Sequence, residues 1–578
     1  MFYRTNPNIH VNRQQKPYSG MTRKKFFIAL IVWAVLTGII WYVQIPALSL
    51  FSPDILLWAA IFYVLFKILQ LGAIGELNQP GSLAEILFSK NQQPNIAAKI
   101  FFWLARITAV GAFLWVFVSP IICGPIFHAK EFANRIQIQN VEFEEIAEVD
   151  FTKTPIIDRE STEVLGDRVM GRMPELVSQF EVSDEYTQIS YRDSVYRVTP
   201  LEYAGFIKYL GNKEQGIPAY ILVNSVTGEA ELVKLKDLGL DGMKYVPSGY
   251  FNQNLYRQLQ IQYPTTVFGS PSFEIDDEGH PWYVCTTYTY SGYLTKRQVT
   301  GVVLFDPITG DSTKYTVDKA PTWVDRIYPE SLVMQEVDNN GSLKDGWLNS
   351  KLGQKNVTVT SEGYNYLEQN GDIYIYSGIT SANGDSSNLG FVLVNLRTHE
   401  AMKIASAGAN EYSAMRSAEG EVKNYGYNST FPLLVNVKGK PVYMMALKDD
   451  NGLIKMYAMV DATNYQKVAT IESDEGFETL KKKFIGTKAD EEDDGGDVET
   501  KDITIAEVQI LIVENKSKCF ITDDQGNRYK LTVSAKNEDV VAFLKNGDTV
   551  TIEYTPYDDV SIIKTIAYPQ NEETDSES

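Results

Sequence analysis

The sequence predicts an α+β chain in three sections. These are an N-terminal three-helix transmembrane region, an ectodomain that repeats a helix followed by an antiparallel sheet, and a small C-terminal β-barrel. Three observations predict it. The first 123 residues hold three long apolar runs, residues from about 185 alternate as short strands between Gly, Asn and Asp turns, and an acidic stretch sets off a last block of strands.

The first apolar run, Phe26 to about Leu48, carries no charge over more than 20 residues, long enough to cross a ~30 Å hydrocarbon core as a helix. No small-x-small cleavage site follows, so it reads as a span, not a removable signal. Ile55 to Ile74 and Ile100 to Cys123 are the second and third spans. Arg4, Arg13, Lys16 and Arg23-Lys24-Lys25 precede the first span with no acid among them, which puts residues 1–25 in the cytoplasm. The turn at Ser49–Asp54 then faces out, Gly75–Lys99 returns inside, and everything after Cys123 is extracytoplasmic. Lys67 and Arg106 fall in the inner halves of their spans, where their stems can snorkel. No paired acids occupy the spans, which argues against an ion or proton relay. The loop from Ser82 to Lys99 suits a short amphipathic helix on the inner surface.

Charge separates the two sides. Residues 1–123 hold ten Lys and Arg against three Asp and Glu, and the chain carries −20 in total, which leaves −27 beyond Cys123. So acidic an ectodomain repels nucleic acid phosphates. The three cysteines, Cys123, Cys285 and Cys519, lie in different sections and imply no disulfide framework, a usage that suits a bacterial envelope.

Residues 124–184 read as a stalk and 185–484 as the repeated body. Four segments share a layout of turn, Tyr-bearing strand, polar turn, apolar strand and closing turn. They contain Gly216–Gly228, Asp277–Gly310, Gly371–Thr398 and Lys438–Thr463. In Asp306-Pro-Ile-Thr-Gly310 the Asp can accept backbone N–H bonds, Pro fixes φ, and Gly supplies a positive φ. The third segment has Thr398-His399 where Thr-Gly would stand. Phe251–Gln262, with Leu255, Leu259 and Gln262 on one face, Trp323–Glu336 and Asn410–Asn424 are expected helices between the hairpins. This helix-plus-three-strand unit with a D/N-x-x-T-G turn resembles the PepSY domain over residues 185–470. With three spans before it, the chain is similar to membrane proteins of Gram-positive bacteria. That resemblance implies binding or modulation of a peptidase at the envelope.

Lys488–Glu499, within an acidic linker at 485–500, joins the body to residues 501–568. There five strands are expected at Ile503–Val513, Cys519–Thr522, Arg528–Val533, Asp548–Tyr554 and Val560–Ile566, with a helix at Asn537–Leu544. The order β-β-β-α-β-β resembles an OB-fold. A phase change near Ala506-Glu507 implies a bulge. Residues 569–578 form a polar tail expected to be disordered.

No H-E-x-x-H, G-x-S-x-G or phosphate-loop motif occurs, and the four histidines, His10, His128, His280 and His399, are dispersed. No catalytic residue, metal ligand or cofactor is assigned. Tyr283, Tyr288, Tyr290 and Tyr293 crowd one hairpin and are the candidate binding face, Tyr being favoured at interfaces. The chain therefore reads as a non-enzymatic scaffold or binding protein of the cell envelope, with the lipid bilayer and an envelope protein as partners and no nucleic acid. A carboxylate-based hydrolase and an accessory transporter subunit are the alternatives. A reporter fused after Ser578 is expected to behave as extracytoplasmic and one before Arg4 as cytoplasmic; a cytoplasm-only reporter active at the C-terminus would reverse the orientation.

Overall fold

The computed structural model describes residues 23–569 except 50–51, 75–95, 144–145, 147, 292–294, 362, 383–386, 487–498, 514–515, 534–536 and 557–559. The basic N-terminus, the segment 75–95 expected on the inner side, most of the acidic linker and the C-terminal tail thus lie outside the described residues. So do His10 and Tyr293.

Three helices open the chain: α1 (Arg23–Gln44), α2 (Pro53–Ile74) and α3 (Ile96–Ile122). Trp33 of α1 donates its indole N–H to the Phe62 carbonyl of α2 at 2.9 Å and sets its ring edge-on to Phe66. Among the described residues, Phe27–Gln44 is long and apolar enough to cross a membrane. A second stretch qualifies if Arg106–Ile122 and α4 (Pro125–Ala133), bent by 62°, are one span. The bend falls at Gly124, where a Cβ would meet the Pro120 carbonyl at 1.9 Å.

Residues 124–184 are not a stalk. Strand β1 (Ile138–Val141) pairs in parallel with a later edge strand, and Val149 N donates to the Asn436 carbonyl at 2.9 Å. Helix α5 (Arg159–Gly171), capped by the Asp158 carboxylate on the Ser161 N–H, and helix α6 (Pro174–Val177) lead into the first sheet. The sequence hid this because β1 is four residues long and α5 is polar on most of its surface.

The repeat is a helix followed by five strands, not three, because two short strands too brief to stand out in the sequence pair with the first long one. In the first sheet, β2 (Phe180–Val182) and β3 (Thr187–Tyr191) both pair with the long β4 (Ser194–Tyr203). After α7 (Phe206–Asn212), β5 (Ala219–Asn224) pairs with β4 and β6 (Ala230–Lys234) with β5. The second sheet follows α8 (Leu255–Gln262) and repeats that order. There β7 (Val267–Phe268) and β8 (Ser272–Ile275) pair with β9 (Pro281–Ser291), then come β10 (Lys296–Phe305) and β11 (Ser312–Tyr315). The third follows α9 (Glu330–Leu343). Its β12 (Thr358–Thr360) and β13 (Asn365–Gln369) pair with β14 (Asp372–Ser381), followed by β15 (Ser387–Asn395) and β16 (Ala401–Ala409), to which β1 adds. The fourth begins with α10 (Glu411–Glu421); β17 (Asn428–Ser429) and β18 (Leu433–Val437) pair with β19 (Lys440–Lys448). The chain divides into two compact units within the next strand, β20 (Ile454–Asp461).

Side-chain chemistry at the hairpin turns explains the repetition. Asn224, Asp306 and Asn395 each accept two N–H bonds from residues two and three ahead, and each carbonyl accepts the N–H four ahead. The fourth position turns left-handed, at φ +76° for Gly228 and +83° for Gly310. His399 takes that conformation at +68°, so the missing glycine of the third segment does not change the turn. The helix expected at Trp323–Glu336 starts only at Glu330. Pro329 has no N–H to give and disfavours helical backbone at Tyr328, so it caps α9. Leu255 and Leu259 of α8 are buried, whereas Gln262 is exposed and donates to the Gly310 carbonyl at 2.9 Å. Leu201, Ile217, Val223, Leu255, Phe273 and Phe305 fill one core shared by the first two sheets. Each such buried side chain stabilises by roughly 1.5–3 kcal/mol.

In the second unit, β21 (Val468–Glu472) precedes α11 (Phe477–Gly486), whose Phe477 meets Tyr457 at 4.5 Å. A closed five-stranded barrel follows, in the order β22 (Glu499–Val513), β23 (Lys516–Asp523), β24 (Arg528–Thr532), β26 (Ser561–Ala567), β25 (Thr549–Thr555). The short α12 (Glu538–Val541) lies between β24 and β25 in sequence. Ala506 is bulged out of the β22–β23 ladder, where the sequence pattern changes phase.

Bulges also mark β10 and β15, between Val299 and Gly301 and between Asn388 and Gly390. A Cβ on Gly301 would lie 1.9 Å from the Tyr315 carbonyl at φ +146°. Gly301→Ala is expected to destabilise the detergent-solubilised chain by about 2–4 kcal/mol in chemical denaturation. Gly371→Ala, at φ +86° with nothing within 4 Å, should cost about 1 kcal/mol. Equal effects would mean that the bulge is not closely packed.

Candidate functional site

The four tyrosines do not make one exposed face. Successive residues of a strand point to opposite sides. Tyr283 therefore faces the shared core, buried and 5.3 Å from the Phe273 ring, while Tyr288 and Tyr290 face the other way. Tyr288 is also buried, under the Arg297 guanidinium at 4.7 Å. Of the described three, only Tyr290 borders open space.

That space is a cavity of about 280 Å³ below the bend that follows α3. Pro125, Phe132 and Arg135 come from α4 and its end, Tyr290, Thr295 and Arg297 from the β9–β10 hairpin, and Gln335 and Asn339 from α9. Helix α4 is held on α9 by Ala129, Phe132, Ala133 and Leu343, and by Asn340 Nδ2 donating to the Ala133 carbonyl at 2.9 Å. Thr295 Oγ1 donates to the Cys123 carbonyl at 2.9 Å, and Lys296 is ion-paired to Glu131. The bulge at Thr300 decides which residue faces the cavity. It shifts the parity of β10, so that Arg297 and Val299 share a face with Val302 and Leu304; a regular strand would turn Arg297 toward the side of Phe305.

Two guanidiniums meet here on unequal terms. Arg135 Nη2 lies 2.6 Å from Glu336 Oε1, both side chains more than nine-tenths buried, and it also donates to the Arg297 carbonyl. Glu336 Oε2 is 2.8 Å from His399 Nε2, and the His399 ring stacks on Tyr328 at 4.3 Å. Burial lowers the Arg135 pKa, opposed by Glu336 and reinforced by the nearby Arg297. Arg297 itself makes no ion pair among the described residues. The sequence reading passed over both arginines. The adjacent Lys296-Arg297 in so acidic a section was the available signal, but only the fold brings Arg135 alongside.

The carboxylates that converge elsewhere are sealed. Glu274 on β8 accepts from the Asp325 N–H at 2.9 Å and from Ser272 Oγ at 2.9 Å, and Asp325 accepts from the Ser190 N–H at 2.7 Å. Both side chains are fully buried, and Asp325 Oδ1 has no hydrogen-bond partner. Burial pushes Glu274 up to about 7; burial and then the neighbouring Glu274 push Asp325 well above the usual carboxylate range. Without access to water or substrate this pair stabilises a seam and offers no hydrolytic centre. Among the described residues, no three of His, Cys, Asp and Glu converge as a metal site would require. His280 sits beside Trp282 with Nε2 3.7 Å from Asp306.

Comparison of the chain with protein-family models and with curated proteins finds no match.

The buried acids set a pH dependence. A carboxyl whose folded pKa is raised keeps its proton while the unfolded chain loses it, so stability falls as pH rises between the two values and then levels. For Glu274 the window runs from 4.5 to about 7 and is worth roughly 3 kcal/mol. Burial acts in the same direction on Glu411 and Glu202. Denaturant melts of the detergent-solubilised chain should therefore show higher stability at pH 5 than at pH 7.5, with a smaller difference in Glu274→Gln. An unchanged slope in that variant would mean that Glu274 is ionised in the folded state.

Proposed function

We propose that this chain is a membrane-anchored, extracytoplasmic scaffold or binding protein of a bacterial envelope, modulating a peptidase or joining an envelope assembly. Helices α1, α2 and α3 are its three spans, the N-terminus is cytoplasmic, and all residues after Cys123 lie outside. Apolar side chains left exposed along two of these helices support the anchor: Phe27, Ile31, Val35 and Ile39 on α1, and Trp103, Ile107, Phe113 and Phe117 on α3. Soluble proteins rarely present such continuous apolar surface to water, and a lipid interior removes the cost.

The observation that carries the binding role is the fourfold repetition of one helix-plus-five-strand unit, three of them with complete and identical strand order. We read this unit as PepSY-like. Repeated units that share turns rather than a reactive centre build surface and rigidity, which suits binding more than catalysis. The barrel, with its helix between the third and fourth strands, follows the order of an OB-fold and is read as a second binding module.

Washing membranes with alkaline carbonate is expected to leave the chain in the pellet. An impermeant crosslinker applied to intact cells should join the ectodomain to a discrete envelope protein. Release into the wash would defeat the anchored reading, and no adduct at any crosslinker length would defeat the scaffold role.

A further inference from the structure

The cavity below α3 combines three features that no structural role requires together. It is open, it holds the guanidinium of Arg297 without a carboxylate partner among the described residues, and it adjoins the end of an apolar helix. Arg135 is already neutralised by Glu336 at 2.6 Å, so one formal positive charge remains at the wall. Retaining it is notable in an ectodomain of such negative charge, where partners for a cation abound. Tyr290, Gln335 and Asn339 add neutral hydrogen-bonding groups around it.

We propose that this cavity binds a phosphate-bearing anion, through Arg297 and the face of Arg135 not engaged by Glu336. A guanidinium matches phosphate oxygens with paired N–H donors, and a second one nearby favours a tetrahedral group with several acceptor oxygens over a planar carboxylate. At about 280 Å³ the cavity lies near the lower end of ligand pockets (~300–1,000 Å³), which fits a headgroup-sized ligand and not a peptide. Pro125 and Phe132 of α4 give the cavity an apolar wall next to the end of α3. A ligand with a phosphate at the arginines and apolar substituents toward α3 satisfies both surfaces. The same phosphate chemistry could come from an anionic lipid headgroup or a free phosphate. The lipid source rests on the membrane-anchored reading; the chemistry of the cavity does not.

The test follows thermal unfolding of the full chain in two settings. In a neutral detergent, inorganic phosphate is titrated at constant ionic strength; in lipid nanodiscs, phosphatidylglycerol mixed with phosphatidylcholine is compared with phosphatidylcholine alone. A ligand that binds the folded state raises the unfolding temperature saturably. Arg297→Ala and Gln335→Glu are expected to weaken the effect at least about tenfold, the second by adding a negative charge at an exposed helical position that tolerates it. Lys234→Ala, on the first sheet, should leave it unchanged. A shift with phosphate in detergent identifies a free anion, and one confined to phosphatidylglycerol discs identifies the headgroup. No shift in either setting overturns the proposal, as does a shift that Arg297→Ala and Gln335→Glu retain. Should carbonate release the chain from membranes, the phosphate titration still reads the cavity, so the two failures are distinguishable.

Discussion

The seam between Glu274, Asp325 and the Ser190 amide is the interaction on which the body of this protein depends. It joins the first sheet through β3, the second through β8, and the segment that leads to α9 through Asp325. Two acids are removed from water there; N–H and hydroxyl groups satisfy both oxygens of Glu274 and one of Asp325, in place of a cation. Ionising both would set like charges together in a low-dielectric interior, so the seam is stable because its carboxyls resist ionisation. The nearby cation is engaged elsewhere: Arg326 holds Glu330 at 2.8 Å, at the start of α9. That pair ties the seam to the start of α9, which Pro329 caps, and α9 forms one wall of the candidate site.

The repeats are held together by a different economy of polar groups. One Asn or Asp side chain at the end of the fourth strand organises each of the first three hairpins, and the same place in the fourth is taken by Asp461, which accepts from the Thr463 and Asn464 N–H groups. The left-handed residue can be Gly or His because the side chain ahead of it has already satisfied the turn's donors. At the third turn this freedom is used. His399 stacks on Tyr328 and meets Glu336, which ties the turn to the ion pair of Arg135 and so to the end of α4. A departure from the repeat therefore marks the place where the repeat is connected to the cavity.

The cavity depends in turn on backbone irregularities rather than on composition. The 62° bend at Gly124 brings α4 across α9, and the bulge at Thr300 turns Arg297 toward the space between them. Both need glycine at a crowded point, Gly124 against Pro120 and Gly301 against Tyr315. Neither side chain contributes to the site, yet a larger residue at either would displace an arginine from it.

The sequence by itself determined the local structure. Apolar length gave the helices, alternation and Asx-Thr-Gly turns gave the hairpins, and the phase change at Ala506 gave a bulge, because these depend on residues near one another in the chain. Tertiary structure decided the rest. Residues 138–182 became part of the body because β1 finds its partner more than 250 positions away, at β16. The tyrosine group was divided because strand parity, which a bulge can reverse, sets the face on which each ring lies. Arg135 and Arg297 came to share a cavity although 162 positions separate them, and their unequal pairing follows from Glu336, which a helix beginning at Glu330 places beside the first and not the second.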